Sequence, residues 1–238
     1  QKRPTIGARS SRATYGRPTQ MGAMSGDSIF ITGATGFIGR RLLSHLDGQA
    51  YNSIYCLIRD PADLDELPGR PSNFSAVIGD LGSPGTYREC LRECRTAVHL
   101  AARTGKATDE EFFSTNASGT AALVEECERA GVENFLYLST IAVAYPEIDD
   151  YPYAQSKAAG EEAVRKSGLK HLIVRPTIVL GQNGAIWNAL IGLVRKPFLI
   201  LPGTGRPLIQ PVHVDDLARQ LGHLAVAGPF TNRTIEIG

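Results

Sequence analysis

The chain has 238 residues, of which 42% are hydrophobic and 21% charged, a composition typical of a globular protein with one large domain. The formal net charge of +1 gives no electrostatic reason to bind nucleic acid or a membrane surface. No apolar stretch reaches the ~18 residues that a membrane-spanning helix needs, so we expect no membrane span.

The cysteines show no metal-binding pattern. Only Cys90 and Cys94 are close in sequence, and no His or Cys pair completes a zinc set around them. We therefore expect no metal site, reduced thiols and a cytoplasmic location.

Residues 1–26 differ in composition from the rest of the chain. They contain five basic residues, no acidic residue and many Ser, Thr, Gly and Pro, and such a segment cannot bury a core. We expect a flexible basic arm outside the fold. Three interpretations are open: an organelle-targeting presequence, a vestige of the expression vector, or an arm that packs on a partner subunit. Pro4 and Pro18 argue against the first, because they interrupt an amphipathic helix.

A glycine-rich turn between a strand and a helix organises the following domain. Residues 29–31 read as a buried strand, and residues 40–46 begin a helical pattern. Between them stand Gly33, Gly36 and Gly39. A helix N-terminus exposes unpaired N–H groups, and a side chain at a glycine would block a phosphate from reaching them. The spacing G-x-x-G-x-x-G in this context predicts a dinucleotide-binding turn.

Strands and helices alternate along the rest of the chain. Further strands are predicted at 53–58, 74–78, 97–102, 134–139 and 171–174, and helices at 86–95, 110–130 and 154–166. This alternation predicts an α/β fold with a doubly wound parallel sheet. We assign residues 27–180 to a nucleotide-binding domain and 181–238 to a substrate-side segment that returns to the core. In that segment, Trp187 and Leu190 are expected to pack near the pocket mouth.

The end of the second strand bears on the choice of cofactor. In a sheet of this kind it lies beside the adenosine ribose, where an acid would accept hydrogen bonds from a free 2′-hydroxyl. The first residue after the apolar run is Arg59, whose guanidinium suits phosphate oxygens, and Asp60 follows it. We therefore favour NADP over NAD, with Arg40 as a second phosphate partner. The alternative is that Arg59 is only a solvated residue at a strand end.

Tyr153 and Lys157 lie four residues apart on a predicted helix and so share one face. A phenol is a poor acid or base near neutrality, and a neighbouring ammonium is expected to lower its pKa. Thr140 or Ser139, at the end of the fifth strand, could bind the same substrate oxygen. These side chains would move a proton on an alcohol or ketone while hydride passes to or from a nicotinamide.

The chain resembles the extended-type short-chain dehydrogenases/reductases. The matching segments, in the family's order, are 32–39 (TGATGFIG), 79–81 (GDL), 99–102 (HLAA), 116–120 (NASGT), 138–140 (LST), 153–157 (YAQSK) and 175–177 (RPT). The resemblance implies a Rossmann fold, a nicotinamide cofactor and a catalytic set of Thr140, Tyr153 and Lys157. The expected cofactor contacts are Gly33, Thr35, Gly36, Phe37, Ile38, Arg59, Asp80, Leu81, Leu100, Ala101, Ala102, Asn116, Ser139, Tyr153, Lys157, Pro176 and Ile178.

Two departures from that family affect the substrate side. Thr140 precedes Tyr153 by only 13 positions, so the wall above the nicotinamide is expected to be reduced. The sequence also stops in a strand pattern at 234–238, so the C-terminal substrate-binding portion is expected to be small and incomplete. By resemblance, a homodimer through the helices near 107–130 and 153–167 is possible.

Three functions fit these observations. The favoured one is an NADP-dependent oxidoreductase that reduces a ketone or aldehyde, or oxidises the alcohol, of a small organic substrate. The first alternative is an NAD-dependent sugar-nucleotide epimerase or dehydratase, for which Arg195 and Arg206 are the few basic candidates to bind a diphosphate. The second is a non-catalytic NADP-binding subunit or redox sensor.

Overall fold

A computed structural model describes residues 27–46, 48–65, 67, 69–196 and 209–238. Outside the described residues lie the predicted basic arm at 1–26 and the segment 197–208, which includes Arg206.

A parallel sheet of seven strands forms the centre of the described part of the chain. Six of its strands are β1 (Ser28–Thr32), β2 (Ile54–Ile58), β3 (Phe74–Ile78), β4 (Cys94–His99), β5 (Asn134–Leu138) and β6 (Lys170–Pro176). The seventh is β9 (Arg233–Ile237). The short strands β7 (Ile178–Leu180) and β8 (Pro211–His213) form a separate two-stranded sheet. The order is β3-β2-β1-β4-β5-β6-β9, and every neighbouring pair is parallel. The order reverses between β1 and β4, which is where such sheets bind ligands. The predicted doubly wound α/β fold is confirmed.

Helices cover both faces of the sheet. They are α1 (Phe37–His45), α2 (Arg88–Leu91), α3 (Asp109–Phe113), α4 (Thr120–Ala130), α5 (Pro152–Lys166), α6 (Ala185–Val194) and α7 (Val214–Ala227). On one face α1 and α7 bury leucines such as Leu42 and Leu221 against the sheet. On the other, α4 and α5 bury Leu123 and Val164. The apolar strands predicted from the sequence therefore lie between two helical layers, which explains their lack of polar alternation.

Three elements differ from the sequence prediction. Residues 86–95 form only the short helix α2, and β4 begins at Cys94 because that residue already pairs with β1. The strand ends at His99, so Leu100 to Ala102 leave the sheet at its carboxyl edge. The helix predicted over 110–130 is interrupted by a π-helical segment, Ser114–Gly119, between α3 and α4.

In the region after β6, Trp187 and Leu190 lie on α6 and are 39% and 43% exposed. Their expected packing near the pocket mouth stays a prediction. Helix α7 begins at Val214, and His213 is its cap, accepting a hydrogen bond from the Asp215 N–H at 3.3 Å. Among the described residues, no helix combines the length and apolar character needed to cross a bilayer.

Candidate active site

A cavity of about 600 Å³ lies at the carboxyl ends of β1, β2 and β4, at the point where the sheet order reverses. Nine residues expected to contact the cofactor line it, namely Gly33, Thr35, Gly36, Arg59, Asp80, Leu81, Leu100, Ala101 and Ala102. The fold thus gathers these residues from four separate segments into one concave site, the arrangement in which open α/β sheets bind dinucleotides.

The glycine turn is built for close backbone approach. Gly33 has φ +73°, and a Cβ there would lie 2.6 Å from the Ala101 nitrogen. A Cβ at Gly39 would lie 2.1 Å from the Gly33 oxygen. Gly36 differs, because it is exposed, lines the cavity and would bring a Cβ near only the Gly33 oxygen, at 3.2 Å. Internal packing explains Gly33 and Gly39, whereas the open backbone at Gly36 fits a bound phosphate group.

The two polar residues after β2 have different environments. Arg59 is exposed and lines the cavity. The Asp60 carboxylate accepts a hydrogen bond from the Ala62 N–H at 2.9 Å and so caps the short 3₁₀ helix Pro61–Leu64. Arg40, the second expected phosphate partner, donates from Nε to the Thr35 carbonyl at 2.6 Å, which orders the glycine turn.

The π-helical segment supplies part of the cavity wall that the sequence did not predict. Ser114, Thr115 and Ser118 line the cavity from this segment. Further lining residues outside the prediction are Thr32, Leu57, Gly82, Arg103, Thr104, Gly119 and Ala122. A π-helical turn shifts the faces of the helix relative to an α-helix, so helical periodicity gave no signal for these side chains.

Asn116, also on the π-helical segment, is fully buried and holds two other elements. Its Oδ1 accepts from the Arg103 N–H at 2.7 Å, while Nδ2 donates to the Arg103 carbonyl at 3.0 Å. Nδ2 also donates to the Ser156 hydroxyl on α5 at 3.0 Å. The side chain expected to contact the cofactor therefore bonds to protein groups, fixing the loop after β4 against α5.

The predicted catalytic pair lies in the first two turns of α5. Lys157 is 1% exposed, and burial lowers its pKa to about 7, an effect that the nearby charge of Glu161 opposes. The Tyr153 ring is half-buried and packs edge-on against Phe112 with ring centroids 5.9 Å apart. Burial, followed by the Tyr151 phenol, raises the pKa of Tyr153 to about 12. This is the opposite of the lowering expected from Lys157, because desolvation of the phenolate dominates.

The two hydroxyls after β5 are used differently. Ser139 is 4% exposed, and its hydroxyl donates to the buried Glu161 carboxylate at 2.5 Å. Thr140 is half-buried, and its hydroxyl oxygen accepts from the Ala142 N–H at 3.3 Å, a weak cap that leaves its proton available. Of the two predicted partners for a substrate oxygen, Ser139 has its proton in a hydrogen bond to Glu161, whereas Thr140 only accepts.

Several expected cofactor contacts lie outside the cavity lining. Phe37 packs its ring against Gly184, and Ile38 packs against the core under α1. Pro176 ends β6 in a buried position, and Ile178 pairs with Pro211 in a separate two-stranded sheet. His99 is fully buried. Within the described ranges no group of three or more His, Cys, Asp or Glu could hold a metal ion.

Comparison with known proteins agrees with this architecture. A model of the NAD-dependent epimerase/dehydratase family matches residues 29–238. A ceramide reductase from Caulobacter vibrioides is 33% identical over 195 residues, covering 81% of this chain and 59% of the relative. A 4-hydroxy-2-methyl-3-oxo-4-farnesyl-3,4-dihydroquinoline-1-oxide ketoreductase from Stigmatella aurantiaca is 28% identical, covering 84% of this chain and 65% of the relative. The chain therefore spans less than two thirds of the length of these relatives.

Among solved structures, a dTDP-glucose 4,6-dehydratase from Streptomyces venezuelae with bound NAD superposes with a TM-score of 0.73 at 26% identity. The alignment covers 88% of this chain and 75% of that one. The family match spans most of the chain, and the resemblance inferred from its motifs is confirmed. The chain belongs to the NAD-dependent epimerase/dehydratase family, whose members are extended short-chain dehydrogenase/reductase enzymes that use NAD(P).

Proposed function

We propose that the protein is an NADP-dependent reductase of a ketone or aldehyde. The observation that carries this proposal is the pair of residues after β2: Arg59 lines the cavity, while the Asp60 carboxylate is turned to cap the next 3₁₀ helix. A guanidinium at the ribose end of the site favours a 2′-phosphate, and a carboxylate committed to a helix cap does not repel one.

The side chains on α5 and after β5 supply the proton chemistry. When bound, a reduced nicotinamide supplies the hydride that forms the new C–H bond. Tyr153 donates its phenolic proton to the carbonyl oxygen, which becomes the alcohol, and is reprotonated from solvent. Thr140 donates a hydrogen bond to the same oxygen, and Lys157 binds the cofactor ribose and stabilises the phenolate that Tyr153 leaves.

The raised pKa of Tyr153 supports the direction of reduction. With a pKa of about 12, the phenol keeps its proton throughout the neutral range. A protonated phenol is ready to act as a general acid toward a developing alkoxide, whereas alcohol oxidation requires the phenolate. We therefore expect carbonyl reduction to be faster than alcohol oxidation near neutral pH.

We further propose that the substrate carries a hydrocarbon chain. The two curated reductase relatives act on ceramide and on a farnesyl-substituted quinoline. In this chain α6 is apolar along its length and exposes Trp187, Leu190 and Val194 at 39%, 43% and 83%. Such a helix, which follows the short strand β7, offers apolar surface to a lipid-like substrate.

A fluorescence titration with NADPH and NADH tests the cofactor proposal. We expect tighter binding of NADPH, and we expect R59A to weaken NADPH by about 10–100-fold while leaving NADH unchanged. The matched control is R92A, because Arg92 is exposed and paired with Glu89 on α2, away from the cavity. Equal affinity of the wild type for both cofactors, or a loss of both in R59A, would contradict the proposal.

A series of methyl ketones of increasing chain length tests the substrate proposal. KM should fall as the chain lengthens, and the double variant W187S/L190S should remove that dependence. V226S is the control, since Val226 is also an exposed apolar residue but lies on α7. A KM that is independent of chain length in the wild type would exclude the proposed hydrocarbon contact.

The alternative is an NAD-dependent sugar-nucleotide epimerase or dehydratase. It is favoured by the solved dehydratase relative that holds NAD. This alternative predicts NAD that stays bound through purification and no net oxidation of added NADPH. Absorbance at 260 and 340 nm of the purified protein distinguishes the two functions.

A further inference from the structure

The ammonium group of Lys157 lies against an aromatic ring. Its Nζ is 4.0 Å from the centre of the Tyr137 ring, on the neighbouring strand β5. Lys157 is 1% exposed and Tyr137 is fully buried, so little water screens this contact. A lysine this close to an aromatic face, in a site from which water is largely excluded, is held by a cation–π interaction.

The Tyr137 ring also packs against a second side chain. The His99 imidazole stacks on it, with ring centroids 5.5 Å apart and an interplanar angle of 26°. Both imidazole nitrogens are engaged, Nδ1 with the Thr32 hydroxyl at 2.6 Å and Nε2 with the Thr120 hydroxyl at 2.9 Å. The ring that Lys157 contacts therefore has one defined orientation.

Gly160 allows α5 to approach β5 closely enough for this contact. It lies one turn after Lys157, and a Cβ there would be 2.3 Å from the Tyr137 hydroxyl and 2.6 Å from the Asn116 carbonyl oxygen. Even an alanine would push the helix away from the strand. The close packing at Gly160 thus sets the distance between the ammonium and the ring.

Few of the charged and titratable groups around Lys157 stabilise its ammonium form. Burial lowers the pKa of Lys157 to about 7, and the carboxylate of Glu161 opposes this. Burial and the Lys157 charge lower the pKa of His99 to about 3, so its imidazole is neutral. Burial raises the pKa values of Tyr137 and Tyr153, so both phenols are neutral at pH 7. Apart from Glu161, only the ring face of Tyr137 favours the charged lysine among these groups.

We propose that Tyr137 is a positioning residue that holds Lys157 charged and directed through the face of its ring. Its significance for catalysis rests on the proposed function of Lys157, but the interaction itself does not. The phenolic hydroxyl is not needed, whereas the aromatic face is. Y137F should therefore behave like the wild type toward Lys157, and Y137L should not.

Lysine titration by NMR tests this without any turnover. The protein is labelled with ¹³C at lysine Cε, and the Lys157 signal is assigned by its loss in K157R. Removing the ring withdraws a contact that favours the ammonium, so the Lys157 midpoint should fall by about one pH unit in Y137L and stay in place in Y137F. Exposed Lys166 provides an internal control in every variant.

Each outcome bears on the proposal. Equal Lys157 midpoints in the wild type, Y137F and Y137L would overturn it, and so would equal falls in both variants, since the hydroxyl would then matter. If Y137L does not fold, Y137M replaces it as a ring-free variant of similar volume. NADPH affinity can be measured over the same pH range. As pH rises, NADPH binding by Y137L should weaken at a lower pH than binding by the wild type, because Lys157 loses its charge earlier. Loss of NADPH binding in all variants would count against the proposed function and leave the NMR result intact.

Discussion

Ser139 and Glu161 are joined by a hydrogen bond of 2.5 Å, in which the serine hydroxyl donates to a fully buried carboxylate. The same carboxylate accepts two bonds from Arg175, at 2.8 and 2.7 Å, and one from Arg165 at 2.6 Å. Burial alone would raise the pKa of Glu161, but the bonds from Arg175, Ser139 and Arg165 outweigh it, and the pKa lies below its ordinary value. This cluster links α5 to the ends of β5 and β6. The Ser139 proton is held in the hydrogen bond to Glu161.

S139A and T140A should therefore separate stability from catalysis. S139A removes one donor from a buried carboxylate and should lower the free energy of unfolding by about 1–3 kcal/mol, with kcat little changed. T140A should lower kcat by about 10²–10³-fold, because it removes a donor to the reacting oxygen, and should change stability less. Urea unfolding and steady-state kinetics of both variants measure this. The reverse pattern would assign the substrate contact to Ser139.

Much of the fold was predictable because its signals are local. The apolar run before Gly33, the glycine spacing and the four-residue separation of Tyr153 and Lys157 each lie within one short segment. The doubly wound parallel sheet followed from alternating strands and helices, since crossovers between parallel strands are right-handed and short. The strand β4 was predicted, but its first residue was not, because pairing with β1 extends the strand to Cys94.

The candidate site was less predictable, because its decisive contacts are distant in sequence. Ser139 and Glu161 are 22 residues apart, and nothing near either residue signals their bond. The wall formed by Thr115 and Ser118 depends on a π-helical segment that has no periodicity signal of its own. The raised pKa of Tyr153 depends on burial, which composition and spacing do not report.

His99 should make the protein sensitive to acid. Its pKa is about 3 in the folded state because of burial and the Lys157 charge, whereas an unfolded histidine titrates near 6.5. Between these values the unfolded chain binds the extra proton, so stability should fall as pH drops below 6.5, by up to about 1.4 kcal/mol per pH unit. H99Q should reduce this slope in urea unfolding measured from pH 7 to 4. H223Q, at an exposed position, is the control, and an unchanged slope in H99Q would refute the assignment.

G33A should damage the nucleotide turn through the backbone. Gly33 has φ +73°, and an added Cβ would lie 2.6–2.8 Å from backbone atoms of Leu100 and Ala101 that line the cavity. We expect a loss of stability of at least about 1–3 kcal/mol and weaker binding of NADPH. The control is G85A, because a Cβ at Gly85 meets no atom within 4 Å. If G33A bound NADPH as tightly as G85A, the turn would not be part of the cofactor site.

Y153F should abolish turnover without preventing cofactor binding. Only the phenolic hydroxyl is removed, and the ring can still pack on Phe112, so the fold and the cavity should persist. Loss of the general acid is expected to lower kcat by about 10²–10⁴-fold, while the Kd for NADPH stays close to that of the wild type.

Y151F is the matched control, because Tyr151 lies next to Tyr153, with ring centroids 5.8 Å apart, and is 46% exposed. It loses the same atom one position outside the helix, so a purely local packing effect would appear in both variants. Removing the Tyr151 hydroxyl also withdraws the second cause of the raised Tyr153 pKa, so the alkaline limit of the kcat profile should move to slightly lower pH in Y151F. Activity that survives in Y153F and is lost in Y151F would transfer the proton-donating role to Tyr151. Loss of NADPH binding in Y153F would instead show that the tyrosine serves the cofactor site, because a general acid is not needed until the carbonyl is reduced.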